Sequence, residues 1–445
     1  MSDPGAIETV RGRRVWDSRG HPTVEVEVRC AGGATGRAIA PAGASRGTRE
    51  AVDLRDGGTR LKGLDVRGAV DNVNARIAPA LVGLDATDQA TLDAAVLALD
   101  SGPMKDSLGG NAAVATSLAG LHAGAAVRDL PLWAHVAALY GTTPSVPLPE
   151  IQIFGGGAHA GRRVDVQDFM IVVPGAGSID EALEITAEVY HAAGALMTRR
   201  GGSAGVADEG GWWPAFGSNE EALETLVEAI VRVGETPGER VAVSLDIAAS
   251  EFRGADGYRL GLEGRTLDAG AMIELLGRWI DDYAIASIED PLAEDDVAGM
   301  RAFTEAHGHR VQVVGDDYLV TNADLVAEAA RSGACNCVLI KPNQAGTVSE
   351  AVAAFEAARA AGWGAIVSAR SGETEDVSVA HLAAGLGAGQ LKVGSFARTE
   401  RTAKWNECLR IAEALGDDAF AAGRPLAATR WGSRRTGLAP ATGGS

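Results

Sequence analysis

The sequence predicts an α/β fold in which a TIM-like barrel follows a smaller N-terminal α+β domain. The chain has 445 residues, which is too long for one ordinary core. Its first third contains strands and then a run of helices, whereas the rest alternates short apolar strands with amphipathic helices. We therefore expect the N-terminal domain over residues 1–145, the barrel over 146–435 and a loose tail over 436–445.

The N-terminal domain is predicted from two kinds of periodicity. Residues 23–28 alternate apolar and charged side chains, which is typical of a half-exposed antiparallel strand. Apolar residues then recur with helical spacing over residues 67–84, 110–128 and 132–140. This order of elements favours an α+β domain.

The second part of the chain repeats a strand and helix unit. Short apolar runs predict strands at residues 241–245, 285–288, 311–314, 337–340, 364–368 and 390–393. Helical patterns lie between them at 219–233, 271–282 and 349–361, and Thr347 with Glu350 forms a capping box before the last one. Such repeats predict a parallel sheet, either closed into a barrel or doubly wound.

Charged residues follow the predicted strands at the point where each one ends. These are Asp246, Glu289, Asp316, Lys341 and Arg370, with Lys392 near the next strand. A single charge there could simply mark a strand that leaves the core. Five in succession favour the active face of a barrel, because the carboxyl ends of parallel strands share one face.

Three carboxylates that converge would repel one another unless a cation lay among them. Oxygen ligands without nearby His or Cys suit Mg²⁺, with Mn²⁺ as the alternative. A lysine beside such cations loses its proton more easily, so Lys341 or Lys392 could act as a general base. The pattern therefore predicts magnesium-dependent removal of a proton next to a substrate carboxylate.

Composition excludes several classes of partner. The formal net charge of −19 argues against nucleic acid and against an anionic membrane surface. No secretory signal and no apolar run of roughly 20 residues is present, so we expect a cytoplasmic protein. Cysteines 30, 335, 337 and 408 are too scattered for a disulfide framework and are expected in the core.

Several motifs resemble the enolase family, in the family's order, from about residue 11 to 415. They are Asp17-Ser-Arg-Gly-His-Pro-Thr-Val-Glu-Val-Glu27, Gly157-Ala-His-Ala-Gly161, Asp208-Glu-Gly-Gly211, Ser287-Ile-Glu-Asp-Pro291, Gly315-Asp-Asp317 and Ser371-Gly-Glu-Thr-Glu-Asp376. The resemblance implies a set of ligands for a first Mg²⁺, namely Asp246, Glu289 and Asp316. It implies that Ser45 reaches a second ion, that Lys341 takes the C2 proton, and that Glu209, with Asp168 beside it, helps a β-hydroxyl to leave.

The resemblance also implies how a small anionic phospho-acid is bound. The substrate-binding side chains would be His159, Gln167, Arg370, Ser371 and Lys392. Lys392 would contact the carboxylate, Arg370 and Ser371 the phosphate, and His159 would close over the substrate from a mobile loop. Family members are typically homodimers, so we expect one here.

The sequence departs from the family pattern around the expected substrate. The departures are Ala369 for histidine, Arg46 for threonine, Gly155 for asparagine, Asp168 for glutamate, and Trp212-Trp213 for Phe-Ala. The metal ligands and the base remain, which predicts the same proton abstraction on an altered substrate. Arg46 could pair with an extra carboxylate. Enolase-like proteins of phosphonate antibiotic pathways form such a product, carboxyphosphonoenolpyruvate.

Three other functions remain to be weighed. One is the ordinary phosphopyruvate hydratase of glycolysis, and another is a non-catalytic binding protein on an enolase scaffold. Residues 155–160 loosely match a dinucleotide fingerprint, but no strand that ends in an acid follows about 20 residues later, since Asp180 begins a helix. We therefore interpret that segment as a lid.

Overall fold

The computed structural model describes residues 3–202, 205–426 and 429. The predicted loose tail over 436–445 lies outside the described residues. The predicted boundary between residues 145 and 146 falls between the last N-terminal helix, which ends at Tyr140, and a strand that begins at Leu148. That boundary remains a prediction.

The N-terminal part is an antiparallel sheet covered by helices. Strands β1 (Ile7–Trp16), β2 (Pro22–Cys30) and β3 (Thr35–Ile39) pair in that order. The helices are α1 (Arg67–Asn72), α2 (Ala78–Leu81), α3 (Gln89–Leu99), α4 (Gly110–Val127) and α5 (Leu132–Tyr140). Helix α4 crosses the sheet so closely that a Cβ atom at Gly36 would lie 2.1 Å from the carbonyl oxygen of Ala119. Only glycine allows this contact.

The second part is a closed barrel. Its strands are β4 (Leu148–Gly155), β5 (Asp168–Val172), β6 (Ala242–Asp246), β10 (Ile285–Glu289), β11 (Gln312–Gly315), β12 (Cys337–Ile340), β13 (Gly364–Ser368) and β14 (Gly389–Lys392). A separate small sheet between β6 and β10 consists of β7 (Arg253–Gly254), β8 (Gly257–Leu260) and β9 (Arg265–Leu267). The helices are α6 (Ile179–Arg199), α7 (Asn219–Arg232), α8 (Ala269–Asp282), α9 (Val297–His307), α10 (Ala323–Ser332), α11 (Pro342–Ala345), α12 (Val348–Ala360), α13 (Ser378–Leu386) and α14 (Thr399–Leu415).

The predicted TIM-like barrel with a smaller N-terminal α+β domain is confirmed, but its sheet is not entirely parallel. Strand β5 runs antiparallel to both β4 and β6. The expectation of a parallel sheet was wrong here because β4 and β5 follow one another without a helical crossover, and antiparallel neighbours need none. The consequence is that the first residue of β5, Asp168, lies beside Asp246, the last residue of β6.

The structure confirms three other predictions made from local sequence patterns. Thr347 caps α12 by accepting a hydrogen bond from the backbone N–H of Glu350, as the capping box predicts. The expected helix over 67–84 is present as α1 and α2, joined by a π-helical turn at Val73–Ile77. All four cysteines are free and buried, as expected.

The barrel core contains a carboxyl group that forms no ion pair with any residue the structure describes. Glu150 of β4 is 1% exposed, and its Oε1 accepts a hydrogen bond from the Ser244 hydroxyl. Its Oε2 has no hydrogen-bond partner within the described part of the chain. Burial raises the pKa of Glu150 above its ordinary value, because the low-dielectric core disfavours the charged form.

We expect Glu150→Gln to raise the free energy of unfolding at pH 7 by about 1–3 kcal/mol, because it removes a carboxyl group whose ionised form the core disfavours. The folded pKa of Glu150 lies above the unfolded one, so wild-type stability falls as pH rises from the unfolded pKa of about 4.3 towards the folded value. The gain should therefore be small near pH 4 and grow with pH in urea titrations. The exposed Glu305→Gln variant should show no such trend. A loss of stability in Glu150→Gln at pH 7 would contradict this account.

Candidate active site

The carboxyl ends of the parallel barrel strands and the amino end of β5 meet around a small cavity. Its lining consists of Gly43, Ser45, His159, Gln167, Asp168, Glu209, Asp246, Lys341, Ser368, Ala369, Arg370, Ser371 and Lys392. Most residues of the predicted site are therefore brought together at one face. Glu289 and Asp316 are buried next to it, bonded to the two lysines, whereas Arg46 does not line it. A larger crevice at the opposite end of the barrel is lined by Trp363 and Arg424, among others, at the amino ends of β13 and β14.

Lys392 lies among the predicted metal ligands. Its Nζ is 2.9 Å from Asp246 Oδ2, 2.7 Å from Glu289 Oε2 and 3.4 Å from Asp168 Oδ2. Burial opposes the charge on this ammonium group, but Asp246 and Glu289 outweigh it and raise the pKa of Lys392 well above its usual value. Lys392 is thus a fixed cation, suited to pairing with a carboxylate.

Lys341 approaches the third predicted ligand. Its Nζ is 2.5 Å from Asp316 Oδ2, and the other oxygen of Asp316 accepts a hydrogen bond of 2.8 Å from Gln344 Nε2. Burial lowers the pKa of Lys341, yet the nearby Asp316 carboxylate outweighs it, so the net shift is upward. The expected lowering of this pKa by neighbouring cations is therefore not produced by the protein groups alone. The nearest group is an anion, and a cation held by Asp316 would be needed to reverse the effect.

The donor set at this face fits a hard divalent cation. Glu289 Oε1 is a buried carboxylate oxygen without a hydrogen-bond partner in the described residues. Burial and the neighbouring Asp246 carboxylate raise the pKa of Glu289 well above normal, a cost that a bound cation would offset. Among the described residues, two clusters bring ligand atoms within 4.8 Å of one another: His159 with Asp168 and Glu209, and Asp290 with Asp316 and Asp317. Neither is the predicted set, because lysine ammonium groups lie between its members.

An acidic pair surrounds His159 on the other side of the cavity. The His159 Nδ1 atom is 3.1 Å from Asp168 Oδ1, and Nε2 is 3.6 Å from Glu209 Oε1. Burial disfavours the imidazolium, but Glu209 and Asp168 raise the pKa of His159 to about 9. His159 occupies a short turn at Gly157–Ala160, which Gly157 permits with a φ of +45°. The imidazole is therefore positively charged at neutral pH.

The loop of residues 41–47 is bonded to the loop after β13. Ala42 pairs with Gly372 as an isolated β-bridge, and the Ala44 N–H donates a hydrogen bond of 2.6 Å to Ser371 Oγ. Arg370 Nη2 donates to the carbonyl oxygen of Ser45 at 2.9 Å. These contacts hold the Ser45 backbone over the cavity, next to the guanidinium group that the phosphate is expected to meet.

Sequence reasoning missed several residues that support this site. Glu50 forms a buried bidentate ion pair with Arg370, with distances of 2.8 and 3.2 Å. Arg401, which is fully buried, donates hydrogen bonds to the carbonyl oxygens of Arg370 and Ser371. Gln152 contacts Asp168. No periodicity or strand-end rule marks these residues, because their partners are distant in the chain.

The departures from the family pattern fall in different places. Ala369 and Asp168 line the cavity, whereas Trp212 stacks on Tyr190 with ring centroids 4.9 Å apart. Arg46 is exposed and makes no hydrogen bond or ion pair with the rest of the described chain. The expected contact of Arg46 with substrate thus has no counterpart in this arrangement of the loop.

Two family models match the chain. The model described as "Enolase, N-terminal domain" matches residues 7–136. The model described as "Enolase, C-terminal TIM barrel domain" matches residues 143–429. Through the described ranges of the chain, every helix is too short or too polar to cross a membrane.

Proposed function

Because the chain belongs to the enolase family, we propose that it is a magnesium-dependent carbon–oxygen lyase. The reaction removes the C2 proton of a 2-phosphoglycerate-like acid and eliminates the β-hydroxyl, which gives an enolpyruvate phospho-ester and water. One observation carries this proposal: Lys341 and Glu209 line a single cavity together with the acceptors and cations that such a substrate needs.

Each residue of the cavity has a separate role in the proposed reaction. Lys341 takes the proton from C2, and Glu209 supplies a proton to the departing hydroxyl. Lys392 pairs with the substrate carboxylate, and Arg370 and Ser371 bind the phosphorus group through charge-assisted hydrogen bonds. The two proton-transfer groups then act on adjacent carbon atoms, as a β-elimination requires.

The remaining roles concern charge and orientation. His159 and Gln167 contact the substrate, and the imidazolium form of His159 orients Asp168 and Glu209. Asp246, Glu289 and Asp316 would hold a Mg²⁺ ion, which would supply positive charge to offset the negative charge on the substrate carboxylate. Ser45 would contribute to a second ion, as the family resemblance implies.

For the substrate, we favour glycerate esterified at O2 with a carboxyphosphonyl group, which yields carboxyphosphonoenolpyruvate when water is lost. Ala369 lines the cavity where the family has a histidine, so the smaller side chain leaves room for an extra carboxylate. Arg370 supplies positive charge beside it. Arg46 would join them only if the loop of residues 41–47 rearranged. Such a product belongs to phosphonate antibiotic biosynthesis.

The ordinary phosphopyruvate hydratase of glycolysis is the second candidate, since the other family groups for proton transfer are retained. A non-catalytic binding protein is the third, and it has no need of Lys341 or Glu209. We also propose that the protein is cytoplasmic and forms a homodimer. Light scattering would measure the oligomeric state. These alternatives make different predictions for turnover.

The test compares two substrates with purified protein and Mg²⁺. We expect turnover of 2-phosphoglycerate to be about 10²-fold or more below that of the carboxyphosphonyl ester, because the added carboxylate can pair with the buried Arg370 guanidinium group. Product formation is followed by ultraviolet absorbance and phosphorus NMR, with and without a chelator. Ala369→His should shift the preference back towards 2-phosphoglycerate. Efficient formation of phosphoenolpyruvate by the wild type would instead identify an ordinary hydratase.

A further inference from the structure

Gln152 links Asp168 to the segment that carries Glu209. It lies in β4, is 1% exposed, and is separate from the residues that line the cavity. Its Nε2 donates a hydrogen bond to Asp168 Oδ1, and its Oε1 accepts one of 2.8 Å from the backbone N–H of Gly211. Both ends of the amide are therefore used.

The two partners of Gln152 belong to different parts of the chain. Asp168 begins β5, whereas Gly211 lies two residues after Glu209 in the segment that carries this acid. A backbone hydrogen bond of 2.8 Å joins the Ala207 N–H to the Gly211 carbonyl and closes that segment into a tight loop. Backbone hydrogen bonds also hold this segment, from the Ser395 N–H to the Glu209 carbonyl and from the Trp212 N–H to the Ile153 carbonyl of β4. Gln152 adds the side-chain link between this segment and Asp168.

We propose that Gln152 is a positioning residue that sets the spacing between Asp168 and the loop of Glu209, and so serves the elimination step of the function proposed above. The amide suits both partners, because its NH₂ group donates to a carboxylate while its carbonyl accepts from a backbone N–H. A hydrophobic side chain of the same size would leave a buried carboxylate oxygen and a buried N–H without these bonds.

Gln152 packs closely against the backbone of Gly211. A Cβ atom at Gly211 would lie 2.4 Å from Gln152 Oε1, so a side chain at position 211 would displace the amide. Asparagine at position 152 would be one methylene too short to reach both partners. Moving that methylene to position 168, in the double variant Gln152→Asn/Asp168→Glu, keeps the combined length of the two side chains.

Lys341, the proposed base, is held by residues other than the partners of Gln152. Lys341 follows β12, and its ammonium group is held by Asp316, which follows β11. Removal of the C2 proton and departure of the hydroxyl can be measured separately, as exchange of the C2 hydrogen with deuterium and as release of the enolpyruvate product. A positioning role on the acid side should affect the second process far more than the first.

The experiment uses the full-length wild type, Gln152→Asn, Gln152→Met and the double variant, with Mg²⁺ present. We expect Gln152→Asn to keep deuterium exchange within about threefold and to lower kcat for elimination about 10²-fold with little change in KM, in line with loss of a well-placed acid. In the double variant, kcat for elimination should be at least about tenfold higher than in Gln152→Asn. Gln152→Met should lose elimination without recovery.

Two further readouts separate the possible failures. If exchange, elimination and Tm all fall together in Gln152→Asn, or if the double variant recovers nothing, Gln152 is structural and the proposal is overturned. The NMR signals of the His159 ring report on Asp168 without any turnover. If the wild type converts no substrate, yet those signals move in Gln152→Asn and return in the double variant, the positioning role stands and the proposed function fails.

Discussion

Replacing Lys341 with alanine should abolish exchange of the substrate C2 hydrogen and lower turnover at least about 10³-fold. General bases contribute on the order of 10²–10⁴-fold, and here the removed ammonium group also lies 2.5 Å from Asp316 in the charged network. The measurement is loss of the C2 proton signal in deuterium oxide with Mg²⁺ and the preferred substrate, together with product formation. Both rates should fall together, because proton removal precedes elimination.

A matched control distinguishes the base from a general loss of positive charge. Lys62 is exposed in the N-terminal part, and Lys62→Ala should exchange at the wild-type rate. Lys392→Ala tests the other lysine of the cavity. If Lys341→Ala still exchanges the C2 hydrogen while Lys392→Ala does not, the base is Lys392 and the assignment to Lys341 is wrong.

Replacing Glu50 with alanine should destabilise the protein by about 3–5 kcal/mol. Arg370 and Glu50 are 3% and 5% exposed, and their bidentate ion pair joins the barrel to the N-terminal part. Without Glu50 the guanidinium keeps its burial but loses its counter-charge, and Asp316 and Asp317 are its remaining acidic neighbours. Urea unfolding followed by circular dichroism, together with turnover at saturating substrate, gives the size of the effect.

The control for this prediction is an exposed ion pair. Glu356 and Arg359 lie 3.0 Å apart on α12 with both side chains about half exposed, so Glu356→Ala should cost less than about 1 kcal/mol. A cost of that small size in Glu50→Ala would mean that Arg370 regains hydration by local opening. In that case a bound phosphorus group should restore stability in the variant more than in the wild type.

The repeated pattern of the second part of the chain predicted its alternating strands and helices, but it left a closed barrel and a doubly wound sheet as alternatives. Apolar runs bounded by helical patterns identified β6 and β10 to β14, because a strand buried on both sides has a continuous apolar sequence. The charge after each run marked Asp246, Glu289 and Lys341 as members of one face, which follows from the common direction of those strands. Motif resemblance then gave Glu209 and His159 their roles.

The direction of β5 could not be predicted from its residues. An apolar strand has the same period whether its neighbour is parallel or antiparallel. The antiparallel direction places the amino end of β5 at the active face, and Asp168 reaches the cavity for that reason. By the strand-end rule alone, the carboxyl end of this strand would have been chosen.

The sequence alone therefore determined the fold class, the family and the acids and bases that follow the parallel strands, because these depend on local periodicity and on motifs within short segments. Only the tertiary structure decided how those groups are charged and held. Glu50 and Arg370 are 320 residues apart, and Gln152 and Gly211 are 59 apart. Such pairs form only when the barrel closes and the N-terminal part packs on it. Closure also buries Gly47 while leaving Arg46 exposed.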